Sequence, residues 1–332
     1  MRLSDFIFNG SLSFEEKALQ IFESQRQNNP VYQRFCDALE IRNVQTHKEI
    51  PLLPIQAFKE TKVLTTAEHS KNENQNLEFF QSSGTSGMER SRHYLIEPEL
   101  YRKSIIKGMQ YFYELDEYII WAYTPGYNEN PNSSLTWMLN TLIEREGSGL
   151  SKFLGLGKPF DKKAIRKIEE SGKKLMLFGA AFGLMDMLEI DPIQLPEDSV
   201  ILETGGMKTH RREITKELLH QQLADGFGIP ESQIHSEYGM TELLSQAYAK
   251  GSLWFECVPW MEVSIRDPKD PMEEAEHGEE GVIGVIDLAN LYSCSFILTG
   301  DKGIQREDGK FQVLGRWNPK NLRGCNFLID QD

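Results

Sequence analysis

The sequence predicts an α/β protein built on mostly parallel sheets with flanking helices, followed by a β-rich sub-domain shaped as a small distorted barrel. Three observations predict it. Between about residues 97 and 227, apolar runs of strand length alternate with helical stretches, the pattern of βαβ crossovers. After about Tyr248 that alternation gives way to short strands separated by turns and an acidic loop. The 332 residues, 39% hydrophobic and 26% charged, are those of an ordinary globular chain too long for one small core. The reading divides the chain into a helical segment and connector at 1–76, an α/β core at 77–248 and a β-rich sub-domain at 249–332.

Ser13-Phe14-Glu15-Glu16 opens the first clear helix, because a Ser cap with Glu three residues later forms a capping box. Phe14, Leu19 and Phe22, then Tyr32, Phe35 and Leu39, give two helices separated by Asn28-Asn29-Pro30. Ile50-Pro51-Leu52-Leu53-Pro54-Ile55 is an extended connector, since each Pro removes a donor and restricts its predecessor. A short helix over Gln56 to Glu60 and a solvated loop at Lys71 to Asn76 follow. Helices are expected over Glu97 to Phe112, Ser133 to Ile143, Asp161 to Ser171, Ala180 to Glu189 and Arg212 to Phe227. Strands are expected over Glu117 to Tyr123, Lys174 to Gly179 and Ser199 to Thr204, then Leu253 to Val258, Glu262 to Arg266, Gly281 to Asp287 and Ser295 to Leu298.

Charge and cysteine usage narrow the function classes. With 36 basic against 50 acidic residues the net charge is −14, which repels a phosphate backbone and disfavours nucleic acid as a partner. Cys36, Cys257, Cys294 and Cys325 form no CxxC pair, against structural zinc and a disulfide framework, and a reducing cytoplasmic setting fits. The N-terminus lacks the apolar stretch of a signal peptide. The most apolar segment, Leu175 to Leu188, is shorter than the about 20 residues a membrane span needs.

Chemistry concentrates in five short segments. Gln81-Ser82-Ser83-Gly84-Thr85-Ser86-Gly87 joins two strands with two glycines and four hydroxyls. Gly lets the chain aim successive N–H groups at one point, which suits phosphate. A flexible polar turn fits the same residues, and the segment lacks the Gly-Lys-Ser/Thr ending of a nucleotide-hydrolase P-loop. Gly205-Gly206 ends a strand. In Tyr238-Gly239-Met240-Thr241-Glu242, Thr241 can donate to phosphate, Glu242 can hold magnesium and Tyr238 offers a flat face to a base; a Thr-capped strand-to-helix junction is the other reading. Asp301, in Thr299-Gly300-Asp301 after a strand, can accept from a ribose diol, as an acidic residue does in dinucleotide sites, or simply make a turn. Arg316, in Gly315-Arg316, supplies a cation or a surface charge.

These five segments, in this order, resemble the adenylate-forming superfamily. Residues 81–87 are similar to its phosphate loop, 204–206 to its adenine-side turn, 238–242 to its Tyr-Gly-x-Thr-Glu motif, 299–301 to its ribose aspartate and 315–316 to its hinge-proximal arginine. The phosphate loop departs from the usual Pro-Lys continuation and runs Met88-Glu89-Arg90, so Arg90 or Arg92 is the candidate substitute cation. Only a short tail follows Arg316, where the superfamily carries a lid with a catalytic lysine. Leu322-Arg323-Gly324-Cys325 near the end, and Ile50 to Ile55 with Phe58-Lys59 near the start, resemble the acyl-protein synthetase (LuxE) family.

That resemblance implies the large N-terminal domain of an adenylate-forming enzyme, an ATP- and Mg2+-dependent acid–thiol ligase acting on a carboxylic, fatty acid. It implies nucleotide contacts from Ser82, Ser83, Gly84, Thr85, Ser86, Gly87, Gly205, Gly206, Tyr238, Gly239, Asp301 and Arg316. Thr241 and Glu242 are then catalytic, Glu242 with the metal, and Cys325 carries the acyl group. Arg323 and Lys320 would lower the Cys325 thiol pKa, although a Cys in an apolar last strand is also an ordinary buried residue. An acyl-accepting reductase, carrier or transferase is the implied partner. Two alternatives stay open: an aryl-acid activator resembling phenylacetate–CoA ligase, with coenzyme A as acceptor, and a non-catalytic protein that binds AMP or an acyl protein. Trp121 to Tyr127 and Phe178 to Phe182 are expected to help line the acid pocket. The remaining cysteines read as structural, and no histidine is given a catalytic role.

Overall fold

The computed structural model describes residues 3–8, 10–66, 77–82, 90–124, 131–190, 193–205 and 214–317. The chain opens with α1 (Leu3–Phe8), α2 (Phe14–Asn28), α3 (Pro30–Ala38), β1 (Leu53–Pro54), α4 (Ala57–Glu60), β2 (Glu78–Gln81), β3 (Arg92–Leu95) and α5 (Pro98–Phe112). It continues with β4 (Tyr118–Tyr123), α6 (Ser134–Glu146), β5 (Lys152–Phe153), α7 (Lys162–Ser171), β6 (Lys174–Ala180), α8 (Ala181–Ile190), β7 (Val200–Thr204), α9 (Lys216–Phe227) and β8 (Ile234–Tyr238). It closes with β9 (Ala247–Lys250), β10 (Glu256–Cys257), β11 (Met261–Arg266), β12 (Gly281–Asp287), β13 (Phe296–Gln305) and β14 (Phe311–Arg316). The α/β class holds, with parallel and antiparallel sheets together.

The chain forms two compact units: residues 1–104, 240–245 and 257–332 make the first, residues 105–239 and 246–256 the second. In the first unit, a five-stranded sheet is the β-rich part expected as a distorted barrel. Its hub is β13, which pairs β12 and β14 antiparallel and β1 parallel. Phe22 of α2 and Tyr32 of α3 pack on Phe296 of this sheet, at 6.2 and 5.7 Å between rings. Ser13 caps α2 with a complete capping box, and Asn29 both ends α2 and caps α3 through its side chain. The β2–β3 hairpin pairs Phe80 with His93 and Gln81 with Arg92.

The second unit is a seven-stranded sheet, in the order β10-β9-β8-β7-β6-β4-β5, parallel from β5 to β8 and turned antiparallel at β9. Its strands are apolar along their length because helices cover both faces of a parallel sheet. Trp121, Phe160, Leu177, Ile201 and Phe227 lie in one buried core.

Several expectations shift. β1 makes the Pro-rich connector part of a sheet, with Leu53 opposite Ile297 and Pro54 opposite Leu298. Its prolines are tolerated because β1 is an edge strand. Thr215 accepts from Leu218 N at 3.3 Å and so starts α9 at Lys216 rather than at Arg212. The expected strand Leu253 to Val258 shrinks to the two-residue strand Glu256–Cys257, which joins the seven-stranded sheet. Thr299-Gly300-Asp301 lies inside the ten-residue β13 rather than after a strand, because β14 folds back and continues the pairing. Trp121 and Phe178 are fully buried, and Trp121 stacks on Phe160, so these two rings pack the core. The expected loop at Lys71 to Asn76 lies outside the described residues. Among the described residues no helix is long and apolar enough to cross a membrane.

Candidate functional site

In the first unit the Thr241-Glu242 pair sits on an irregular turn whose backbone is tied down by three buried side chains. His93 of β3 donates through Nδ1 to Thr241 O at 2.8 Å. Asn290 donates to Glu242 O at 2.8 Å. Asp287, at the end of β12, accepts from Leu244 N at 2.8 Å and Ser245 N at 2.9 Å on one oxygen. Its other oxygen accepts from Ser245 Oγ at 2.6 Å and Ala289 N at 3.0 Å. Buried backbone donors need partners, and a carboxylate can satisfy several at once. Burial pushes the Asp287 carboxyl up to about 6, against the pull of its donors. Burial likewise pulls His93 down to about 4, so the ring is a neutral donor near pH 7.

The turn presents two different side chains. Thr241 is half-buried, whereas Glu242 is buried and its carboxyl is raised, burial outweighing the Ser91 hydroxyl and the positive charges of Arg316 and Lys59. The Ser91 Oγ is buried and has no partner in hydrogen-bond geometry, although it lies near enough to Glu242 to favour its ionised form. Ser91 also closes the neck of the Ser/Gly loop: Ser82 N donates to Ser91 O at 3.2 Å, and Ser91 N donates to Ser82 Oγ at 3.1 Å. The Ser91 hydroxyl and the Glu242 carboxyl thus lie together, both buried, at the base of the Ser/Gly loop.

Strand register brings the remaining pair together. Asp301 of β13 lies directly opposite Arg316 of β14, and Arg316 Nε meets Asp301 Oδ1 at 3.1 Å. The Asp301 side chain is 12% exposed and that of Arg316 58%, so the acid is held in the sheet while the guanidinium reaches solvent. Thr299 Oγ1 donates to Ile283 O at 2.8 Å and accepts from Asp301 N at 3.0 Å, which fixes the approach to Asp301.

In the second unit, two buried acids close the ends of β7 and β8. Glu203 lies opposite Ser236, and Thr204 opposite Glu237. Glu203 accepts from Lys216 Nζ at 2.5 Å and from the Ser236 hydroxyl, with His220 Nε2 at 3.4 Å. Burial pushes Glu203 up, but the Lys216 ammonium and these donors more than offset it and hold it low. Glu237 accepts from the Thr204 hydroxyl, and burial with the nearby Glu203 charge raises it to about 7. A Cβ at Gly239 would lie 2.4 Å from Glu237 Oε1, so any larger residue there would have to displace the end of that buried side chain. Tyr238 is buried, with its ring edge-on to Phe255 at 6.0 Å. Gly205 ends β7 with φ +91°, a left-handed turn suited to glycine.

Ser82, Thr241, Glu242, Asp301 and Arg316 therefore share the first unit, and Gly205, Tyr238 and Gly239 belong to the second. Ser83, Gly84, Thr85, Ser86, Gly87, Gly206 and Cys325 lie outside the described residues. Cys36 and Cys294 are buried, with Cys36 raised by burial to about 11, which suits packing rather than reactivity. Sequence reading missed Asp287, Asn290 and Glu203. Glu203 carried a signal, an acid at the end of the otherwise apolar Val200-Ile201-Leu202. Asp287 and Asn290 carried none, because the turn they hold is more than 40 residues away.

Among the described residues no group of three or more His, Cys, Asp or Glu could hold a metal ion. Magnesium at Glu242 would then draw most of its ligands from phosphate and water, the ordinary habit of this ion at nucleotide sites. A single buried carboxyl, with the Ser91 hydroxyl beside it, fits that arrangement.

Comparison with known proteins gives a family and a fold. A family profile described as "Acyl-protein synthetase, LuxE" matches residues 154–332. No curated protein matches the sequence significantly. Among solved structures, ATP-bound MatB from Rhodopseudomonas palustris superposes with a TM-score of 0.51 at 15% identity, covering 72% of this chain and 47% of that one. An open conformation of 2-hydroxyisobutyryl-CoA ligase, in complex with 2-HIB-AMP and CoA, superposes with a TM-score of 0.61 at 12% identity, covering 91% and 68%. The chain thus spans about half the length of MatB. At these identities the likeness is one of fold.

Proposed function

The chain belongs to the acyl-protein synthetase (LuxE) family, and on that premise we propose that it activates a carboxylic acid, of the fatty class, with ATP and passes the acyl group to a protein thiol. In the first step a carboxylate oxygen attacks the α-phosphorus of ATP, the bond to the bridging oxygen breaks, and pyrophosphate leaves with the electron pair. The product is an acyl-adenylate. In the second step a thiolate attacks the acyl carbon, and AMP leaves as the phosphate anion. Both steps bring anions together, so positioning and charge neutralisation supply most of the rate.

The residues divide that work. Ser82, Ser83, Thr85 and Ser86 would cradle the β- and γ-phosphates, with Gly84 and Gly87 allowing the loop to close on them. Thr241 would donate to the α-phosphate, and Glu242 would hold magnesium, whose charge offsets that of the phosphates. Asp301 would accept from the ribose hydroxyls, with Arg316 balancing charge. Gly205, Gly206, Tyr238 and Gly239 would meet the adenine side. Cys325, flanked by Arg323 and Lys320, would carry the acyl group before transfer to a partner.

The observation that carries this reading is the turn at Thr241-Glu242. Its backbone is fixed by His93, Asn290 and Asp287, while its carboxyl is buried beside the Ser91 hydroxyl. Such preorganisation is what electrostatic catalysis needs. Acid-dependent pyrophosphate–ATP exchange tests it, and exchange with a fatty acid is expected. Its absence with every fatty and aryl acid tried rejects the enzyme and leaves a nucleotide- or acyl-protein-binding role. The fold likeness to 2-hydroxyisobutyryl-CoA ligase favours a second reading, with coenzyme A as acceptor. Mass spectrometry after incubation with acid, ATP and coenzyme A separates the two: an acyl adduct on Cys325 supports the protein-thiol route, free acyl-CoA the other.

A further inference from the structure

The cation that the Ser/Gly loop lacks has a candidate outside that loop. α4 follows β1, and β1 runs parallel to the stretch of β13 that leads into Asp301. Phe58 of α4 sets its ring edge-on to His93 at 5.9 Å, and His93 in turn bonds Thr241 O. α4 is thereby packed against the residue that anchors the Thr241-Glu242 turn. Lys59, the next residue, is exposed and makes no ion pair among the described residues. Its charge acts on the buried Glu242 carboxyl, as does that of Arg316. Arg316 already has an acid, Asp301, at 3.1 Å.

The hairpin excludes a rival. Alternate residues of a strand face opposite sides. His93 faces Phe58 and the turn, so Arg92 faces away, and its guanidinium lies over the Phe79 ring at 5.5 Å. Lys62 lies over Tyr94, which shares the Arg92 side of the strand, at 4.8 Å. Lys59 is thus an exposed cation with no ion pair among the described residues, on the helix that packs against the residue anchoring the turn.

We propose that Lys59 grips the β,γ-phosphates of ATP at the Thr241-Glu242 turn, so that a residue preceding the phosphate loop contacts the substrate and stabilises the departing pyrophosphate. This rests on the adenylate-forming reading above. A lysine ammonium is a mobile point charge with three donors, suited to a charge that grows on a leaving group.

Calorimetric titration of ATP and of AMP into the full chain and into Lys59→Ala and Lys59→Arg tests it. For Lys59→Ala, ATP affinity is expected to fall about tenfold or more, the effect of losing one charge-assisted contact, with AMP unchanged within about twofold. Lys59→Arg is expected to regain most of the loss. Acid-dependent exchange at saturating ATP should fall in Lys59→Ala as well, since the pyrophosphate contact persists into the transition state. Equal weakening of ATP and AMP would mark Lys59 as structural, and unchanged affinity for both would remove it from the site. If the unmodified chain binds neither nucleotide, the adenylate-forming reading fails and the Lys59 assignment with it. If the unmodified chain binds ATP and exchanges pyrophosphate while Lys59→Ala does the same, only the assignment fails.

Discussion

The turn at Met240–Ser245 and the ends of β7 and β8 both bury a carboxylate, and they manage it differently. Asp287 has four hydrogen-bond donors and no cation, and its carboxyl is raised to about 6. Glu203 has a lysine, and it is held low. Glu237, on the strand beside Glu203, accepts from the Thr204 hydroxyl, with no ion-paired cation among the described residues, and rises to about 7. Hydrogen bonds from neutral groups shape a backbone around a buried acid; an opposite charge is what keeps the acid ionised. The first unit uses the former device to hold an irregular turn, and the second uses the latter to finish a sheet.

The sharpest way to break this contrast is Lys216→Met. It leaves Glu203 buried without its cation and should cost about 3–5 kcal/mol, the usual penalty for orphaning one partner of a buried pair. Urea denaturation measures it, and a loss below about 1 kcal/mol would mean the pair behaves as a surface contact. Asp287→Asn comes next. An amide in place of the carboxylate turns one acceptor into a donor facing the Leu244 and Ser245 N–H groups. The expected loss is about 2–3 kcal/mol, with a steeper fall in exchange activity than any surface variant shows.

Glu237→Gln sharpens the comparison through pH. The folded pKa of Glu237 lies above its ordinary value of 4.5, at about 7. The stability it contributes is therefore present below pH 4.5 and lost as pH rises through about 7. The amide cannot ionise, so this variant should be more stable than the parent by about 1–2 kcal/mol at high pH, with the advantage gone in acid. Thermal denaturation from pH 5 to 8.5 reads it, and a constant difference across that range would contradict the assignment. The smallest free-energy effect belongs to Thr241→Val. Removing one half-buried hydroxyl should leave the urea midpoint unchanged and lower pyrophosphate exchange about tenfold, about 1.4 kcal/mol. A stability loss with intact exchange would move Thr241 from the substrate to the scaffold.

Much of the architecture was legible because its causes are local. Ser13, Asp161 and Thr215 accept from backbone N–H groups two or three residues on, and helix starts are written in such residues. Gly147, Gly172 and Gly228 end helices in the left-handed conformation. The strands of the second unit read clearly because both of their faces are buried. Thr299 to Asp301 was harder, since a turn and a strand interior share the same residues until β14 is known to pair there.

By itself the sequence determined the class of fold, the order of its elements and the short motifs that resemble a nucleotide site. Those follow from hydrophobic periodicity, caps and Gly-rich turns, which act over a few residues. Only the tertiary structure decided that Asp301 faces Arg316, that Asp287, Asn290 and His93 hold one turn, and that Phe58 of α4 packs against His93. Strand register and the satisfaction of buried polar groups fix those relations. Both are settled by the whole packed unit, across separations of up to 197 residues from His93 to Asn290, and neither leaves a local mark on the chain.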